Sequence, residues 1–298
     1  MSFKIAGIGE VLWDIFPAGT KLGGAPANFA YHARALGAAG SVVSRVGDDA
    51  AGREILAQLQ ALGLATDSVA VDRSHPTGSV TVQLAADGQP RYTIHQGVAW
   101  DHLVADSAGI AAVSTADAVC FGSLAQRCDP SRVAIRTLLA RSHPSALRIF
   151  DVNLRQDFYS QELIEDSLEL ANVLKLNDTE LPVLARLLEV RASSEKEQLV
   201  ELADRFGLRL VAYTCGARGS MLWDGGEWSE SEAPRIEVKD TVGAGDAFTA
   251  AVALGMLAGW PIQKIGAFAN ELAAYVCSCD GATPPIPEHL RRCVTADV

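Results

Sequence analysis

Apolar residues along this chain fall into short runs separated by longer amphipathic stretches. The short runs read as strands: KIAGIG (4–9), VVSRVG (42–47), AVCFG (118–122), LRIFDVN (147–153), VLKLN (173–177) and LRLVAYT (208–214). Between them lie helical patterns: APANFAYHARALG (25–37), AGREILAQLQALG (51–63), PSRVAIRTLLARS (130–142), QELIEDSLELA (161–171) and SEKEQLVELADRFG (194–207). Several of these end at glycine, as helix C-termini favour, and Pro130 stands where a first helical turn accepts it. Strand and helix in alternation predict an α/β protein with a mostly parallel sheet covered on both faces.

One stretch breaks the rhythm. TGSVTVQLAADGQPRYTIHQ (77–96) carries two alternating strands around AADGQP, a hairpin with a DG turn and no helix after either strand. EVLWDIFPAGTKL (10–22) is also strand-like, with no helix directly after GIG. The two segments, about 10–22 and 77–98, are expected to form a small sheet beside the main one, a lid over a site. No internal repeat or long linker appears, so residues 1–298 are expected to form a single domain.

Composition narrows the function. Of 298 residues 49% are hydrophobic and 20% charged, with a net charge of −11. Such an acidic chain is a poor general binder of nucleic acid or anionic membrane, although a helix N-terminus can still hold a phosphate locally. The N-terminus lacks a signal-peptide layout, and the richest apolar segment, 247–260, is too short to span a bilayer. A cytoplasmic protein without nucleic-acid or membrane partners is expected. Six cysteines, at 120, 128, 215, 277, 279 and 293, include a CxC but no CxxC, and no zinc-ligand spacing. They read as reduced thiols.

The familiar short motifs are absent: no GxxxxGK[ST], no GxSxG, no HExxH. GIGEVL (7–12) begins like a dinucleotide fingerprint but runs into WDIF, which does not start a helix. DTVGAGDAF (240–248) is more informative. Gly243 and Gly245 precede a long run of small apolar residues, a buried helix whose first turn offers unpaired N–H groups to an anion. Asp246 lies in that turn. Taken alone it is either a helix cap or a general base beside a bound phosphate. GGAPANFA (23–30) sets Gly23 and Gly24 before a helix start and projects the Asn28 amide there. Asp14, flanked by Leu12, Trp13, Ile15 and Phe16, needs an exposed edge or a hydrogen-bond partner, and a sugar diol is one candidate. Polar clusters follow three successive strands: Asp151, Asn153 and Arg155; Asn177 and Glu180; Thr214, Gly216 and Gly219. Open α/β sheets bind ligands at such strand ends. Each cluster alone is equally a turn, and Arg155 alone is equally an ion-pair partner of Asp151 or Asp157.

Taken together these motifs resemble a known family. DTVGAGDAF is similar to the C-terminal signature of the PfkB, or ribokinase-like, carbohydrate kinases. GGAPANFA with LG (36–37) and RVGDDAAG (45–52) resembles their N-terminal signature, NDTE their NxxE element, and TCGARG their TxGxxG nucleotide loop. The elements occur in family order from about residue 5 to 285.

The resemblance implies a three-layer α/β/α fold with a β lid, and ATP- and Mg²⁺-dependent phosphorylation of a sugar hydroxyl. By motif, Asp246 matches the catalytic base, and the amides of Gly243, Ala244, Gly245 and Asp246 the anion hole. Asp14, Gly24 and Asn28 match sugar contacts, joined by Arg155. Asn177 and Glu180 match the element that orients Mg²⁺ and phosphates, through water. Thr214, Gly216, Gly219, Gly243 and Gly245 line the nucleotide, with Asn270 toward the adenine. Some members need K⁺, beside the segment that starts at Asp240 and near CDGATP (279–284). Lid strands TVQLA and YTIHQ suit pairing into a homodimer. GEVLWDIFP, GGAPANFA and DVNLRQDFY look closest to the fructokinase-like branch. D-Fructose is the first substrate expected, 2-keto-3-deoxygluconate the second, ribose and nucleosides behind. A sugar-binding regulator without turnover is disfavoured by the intact GAGD, NDTE and TCGARG.

Overall fold

The computed structural model describes residues 2–17, 19–84 and 90–295. In chain order its strands are β1 (Lys4–Ile8), β2 (Leu12–Phe16), β3 (Gly19–Gly23), β4 (Ala39–Gly47), β5 (Val69–Asp72), β6 (Gly78–Leu84), β7 (Pro90–Ile94), β8 (Ala118–Gly122), β9 (Leu147–Asp151), β10 (Val173–Asn177), β11 (Leu210–Thr214), β12 (Ser220–Trp223) and β13 (Trp228–Ser231). The helices are α1 (Ala25–Ala35), α2 (Ala50–Ala61), α3 (Ser107–Ser114), α4 (Asp129–Leu139), α5 (Gln161–Leu170), α6 (Leu181–Leu187), α7 (Glu195–Phe206), α8 (Ala244–Leu257), α9 (Ile262–Cys277) and α10 (Glu288–Thr295).

Nine strands form one sheet in the order β13-β12-β11-β10-β9-β8-β1-β4-β5. From β11 to β5 every pairing is parallel; β12 and β13 close the far edge as antiparallel strands. Strand alternation divides the core in two. Phe150, Leu174, Leu176, Val211 and Tyr213 face the layer that holds α4, α5 and α7. Ile149, Val173, Leu210 and Ala212 face α1, α8 and α9. The fold is therefore the expected three-layer α/β/α arrangement, and no helix among the described residues is long and apolar enough to cross a membrane.

Helix α8 shows why that second layer is tight. Ala247, Ala250, Ala251, Ala253 and Gly255 are buried along it. Small side chains let α1 and α9 pack close on either side and hold the start of α8 at the carboxyl edge of the sheet.

A second sheet, β3-β2-β6-β7, stands apart from the first. It is the expected lid, with two corrections. Segment 10–22 is not one strand but a hairpin: β2 pairs antiparallel with β3, Asp14 opposite Lys21, because Pro17 stops the ladder between them. TVQLA is not a free edge either. It falls in β6, which is paired on one side by β2 and on the other by β7. The edges of this sheet are β3 and β7, so of the two lid segments YTIHQ, on β7, is the one that keeps an edge for a partner strand. The DG turn lies outside the described residues. Strands β5, β12 and β13 and helices α3, α6 and α10 are additional to those read from the pattern; they are short or sit at the sheet edge, where periodicity is weakest.

Candidate active site

Parallel pairing in register brings the ends of β9, β10 and β11 level: Asp151 lies opposite Lys175, and Asn177 opposite Thr214. All four project to the α8 side by strand parity. The first turn of α8 meets them there. Gly243 caps the helix in the left-handed region (φ 80°), and a Cβ on it would lie 2.4 Å from the Ala282 carbonyl oxygen, so only glycine fits. Ala244 N reaches back to Thr241 O (3.4 Å) and Ala247 N bonds Gly243 O (2.9 Å). The amides of Gly245 and Asp246 remain as donors for an anion.

Asp246 is held from a distant part of the chain. Asn28, on the first turn of α1 and 4% exposed, donates its Nδ2 to Asp246 Oδ2 at 2.8 Å. Loss of hydration lifts the Asp246 carboxyl to about 6, helped by the negative charge of Asp151 and opposed by Asn28, Lys175 and Arg155. Lys175 Nζ pairs with Asp151 Oδ1 at 2.9 Å, and Thr249 Oγ1 donates to Asp151 Oδ2 at 2.9 Å. Burial would lower the Lys175 ammonium, but Asp151 and Glu180 outweigh it and the group is held above its ordinary value. This buried pair places a positive charge under the α8 turn, directly below Gly245.

Arg155 is exposed, donates to its own neighbour's carbonyl, Leu154 O, and makes no ion pair with Asp151 or Asp157. It lies in a loop where Asn153 (φ 44°) and Gln156 (φ 50°) adopt left-handed backbone. From there its charge acts on Glu10, Asp14 and Asp246 together, so it faces the cleft. Asp14, on lid strand β2, is lifted to about 6 by lost hydration, with Arg155 and Lys21 opposing and Asp240 adding. Gly23, against the Asp14 carboxyl, leads into Gly24, which forms the N-cap of α1 and packs on the backbone of Glu10 and Val11.

The expected nucleotide and metal residues line the next strand ends. Glu180 is 4% exposed and accepts from Asn177 N (2.8 Å) and Leu154 N (3.0 Å). Burial raises its carboxyl, with Lys175 opposing. Both its oxygens are engaged, so it suits a Mg²⁺ reached through water rather than direct ligation. No group of three or more His, Cys, Asp or Glu among the described residues could hold a metal by itself; phosphate oxygens would have to supply most ligands. Asn177 Oδ1 takes the amides of Thr179 (2.9 Å) and Glu180 (3.0 Å) and so shapes the turn. Thr214 ends β11, and Gly216 lies exposed beyond it. Gly219 packs against Ser231 O, which also accepts from Asn270 Nδ2 at 2.9 Å. Asn270 is 5% exposed and secures β13 beside the turn that carries Gly216 and Gly219.

Asp240 ties its loop: Oδ1 accepts from Val242 N (3.0 Å), Oδ2 from Gly281 N (3.1 Å), and Lys21 of the lid approaches to 3.5 Å. His95 lies exposed on the lid with Thr81 Oγ1 at 2.8 Å. Cysteines 120, 128, 215, 277 and 279 are free thiols.

Two members of this constellation were not singled out from sequence. Lys175 is hidden inside the apolar strand VLKLN. Glu10 sits between Gly9 and Val11, 3% exposed, with Oε2 lacking any hydrogen-bond partner among the described residues. The only signal for either is a charge inside an apolar run.

The geometry defines a class: a three-layer α/β protein whose anion site and carboxylate meet at the strand ends, beneath a β lid. The pfkB family carbohydrate kinase profile matches residues 17–289. An uncharacterized sugar kinase, PH1459, of Pyrococcus horikoshii is 32% identical over 96% of this chain and 94% of its own. Its structure in complex with ATP superposes with a TM-score of 0.83 at 30% identity, covering 94% of each chain. A fructokinase of Escherichia coli is 28% identical over 86% of this chain and 85% of its own. A 2-dehydro-3-deoxygluconokinase structure from Thermotoga maritima shares the fold at a TM-score of 0.87, with 17% identity over 99% of each chain. The chain belongs to the pfkB family of carbohydrate kinases; it is an ATP-binding phosphotransferase that acts on a sugar.

Proposed function

We propose that this kinase phosphorylates D-fructose, with Asp246 as general base. The observation that carries the mechanism is the Asn28–Asp246 hydrogen bond (2.8 Å), which holds one carboxylate beside the N–H donors at the start of α8. Asp246 takes the proton of the attacking hydroxyl. The sugar oxygen forms a bond to the γ-phosphorus, the bond from that phosphorus to the bridging oxygen breaks, and ADP leaves. Phosphoryl transfer asks mainly for positioning and charge stabilisation. The amides of Gly245 and Asp246, the α8 dipole and the buried Lys175 supply positive potential where charge accumulates. The Glu180–Asn177 turn would hold Mg²⁺ through water, and that ion would supply charge neutralisation for the phosphate oxygens. Thr214, Gly216 and Gly219 border the nucleotide; Asp14, Gly24, Asn28 and Arg155 border the sugar.

Support for fructose is the fructokinase relative and the polar set of Asp14 and Asn28 under the lid. Arg155, with no ion-pair partner among the described residues, supports 2-keto-3-deoxygluconate as the second reading, since its guanidinium can take a carboxylate. We further propose a homodimer through the lid, with Ile15 (38% exposed) and Tyr92 (51%) at the contact, a K⁺ bound mostly by carbonyls near Asp240, and a cytoplasmic location. The experiment is ATP-to-ADP conversion across a panel of sugars, with and without K⁺ and Mg²⁺. Turnover with fructose alone supports the first reading, and preference for the keto-acid sugar replaces it. Light scattering that finds a monomer removes the dimer.

A further inference from the structure

Glu10, Asp151 and Asp246 line one cavity of about 10 Å³, together with Asn153, Cys120 and Gly122. That is space on the order of a single water. Three acidic residues thus border one small, partly open volume. The one buried ammonium nearby, Lys175, is committed to Asp151 at 2.9 Å. Two carboxyls remain, and their surroundings differ. Asp246 accepts the Asn28 amide at 2.8 Å and stands on the first turn of α8, where the helix dipole favours negative charge. Glu10 is 3% exposed and its Oε2 has no partner among the described residues. An ionised oxygen left bare in such a place is costly, whereas an O–H can point into the cavity toward water or the neighbouring carboxylate. Arg155 faces both groups, but from an exposed loop where solvent weakens its pull.

We propose that Glu10 and Asp246 work as a pair that shares one proton, with Glu10 as its neutral member and Asp246 as the ionised one. Glu10 is then a positioning residue: it keeps the site at a single negative charge and leaves Asp246 free to act. The proposal rests on the reading of Asp246 as base. Lost hydration lifts the Glu10 carboxyl to about 7, with Asp246 adding, while the backbone N–H groups of Glu10 and Ala25 and the charge of Arg155 oppose. Cys120 on β8 also feels both acids, and burial holds its thiol protonated. Above neutrality the pair becomes a dianion, which repels the incoming phosphoryl group.

Infrared difference spectra of the ligand-free enzyme, taken across the neutral range, test this without knowing the sugar. A carbonyl-stretch band of a protonated carboxylic acid is expected to vanish as pH rises through about 7. The component with its midpoint near 7 is expected in wild type and in Asp246→Asn and is absent in Glu10→Gln, where only the Asp14 and Asp246 carboxyls, at about 6, still titrate. In kinetics, wild-type kcat/KM is expected to fall about tenfold per pH unit on the alkaline side, and Glu10→Gln to lose that limb. Persistence of the component near 7 in Glu10→Gln, or an unchanged alkaline limb, overturns the proposal. Should Glu10→Gln not fold, a wild-type protein without a titrating band overturns it equally. Near-normal turnover in Asp246→Asn would instead remove the base reading, while the band still decides the state of Glu10.

Discussion

Asn28 and Asp246, 218 residues apart in sequence, are joined by one hydrogen bond of 2.8 Å between the first turns of two helices. The bond favours the ionised carboxylate and fixes its direction. Asn28→Ala removes it. A hydrogen bond to a charged group contributes about 1.5–3 kcal/mol, equivalent to about one to two pH units. Because Asp246 sits at about 6 with the bond in place, the acid limb of kcat/KM is expected to begin near that pH in wild type and to move upward by about that much in the variant. A pH profile with the limb unmoved would show that Asn28 does not tune Asp246.

Asp246→Asn keeps the shape of the α8 turn and its amide donors but loses the proton acceptor. Turnover is expected to fall by roughly 10²–10⁴. ATP affinity, read by titration calorimetry, is expected to stay near the wild-type value, since the donors for the phosphates are backbone groups.

Lys175→Met strands Asp151 as a buried carboxylate, 5% exposed, with Thr249 as its remaining side-chain partner. Breaking a buried pair from one side costs about 3–5 kcal/mol. The urea midpoint is expected to drop accordingly, and Asp151→Leu in the same chain to restore much of the loss. A double variant as weak as Lys175→Met would show that the pair is not the source of the cost.

Glu10 links stability to pH. Its carboxyl is raised from 4.5 to about 7 in the folded protein, chiefly by lost hydration. Between those values the folded state holds a proton that the unfolded chain releases. This group's contribution to stability therefore declines as pH rises through that window. Glu10→Gln cannot ionise. Its stability relative to wild type is expected to improve by a few kcal/mol on going from below the window to above it, an order-of-magnitude figure. Denaturation curves at both ends, with equal differences, would count against the assignment.

Much of the site was legible because strands alternate and glycines punctuate. Asp151, Asn177 and Thr214 each end an apolar run, so their shared edge follows from parallel order alone. DTVGAGDAF declared a helix start by its glycines and the small residues after it. Lys175 and Glu10 were hidden for the same reason that they matter. Both sit inside apolar runs, where a charge is tolerated only with a partner or a proton, and sequence does not say which. The lid was legible as strands but not as a sheet: alternation marks 10–22 and 77–96 as extended, whereas strand order depends on which edges meet in space.

The sequence by itself determined the layered α/β plan, the lid's existence, and a glycine-led helix start bearing Asp246. These rest on local periodicity and backbone chemistry, which act over a few residues. Only the tertiary structure decided that Asn28 holds Asp246, that Lys175 is committed to Asp151, that Arg155 makes no ion pair with Asp151 or Asp157, and that Glu10 shares a cavity with Asp246. Those are matters of distance and dielectric between chain segments far apart in sequence. A carboxyl's charge state is set by what surrounds it, and that is fixed only when the helices close on the sheet.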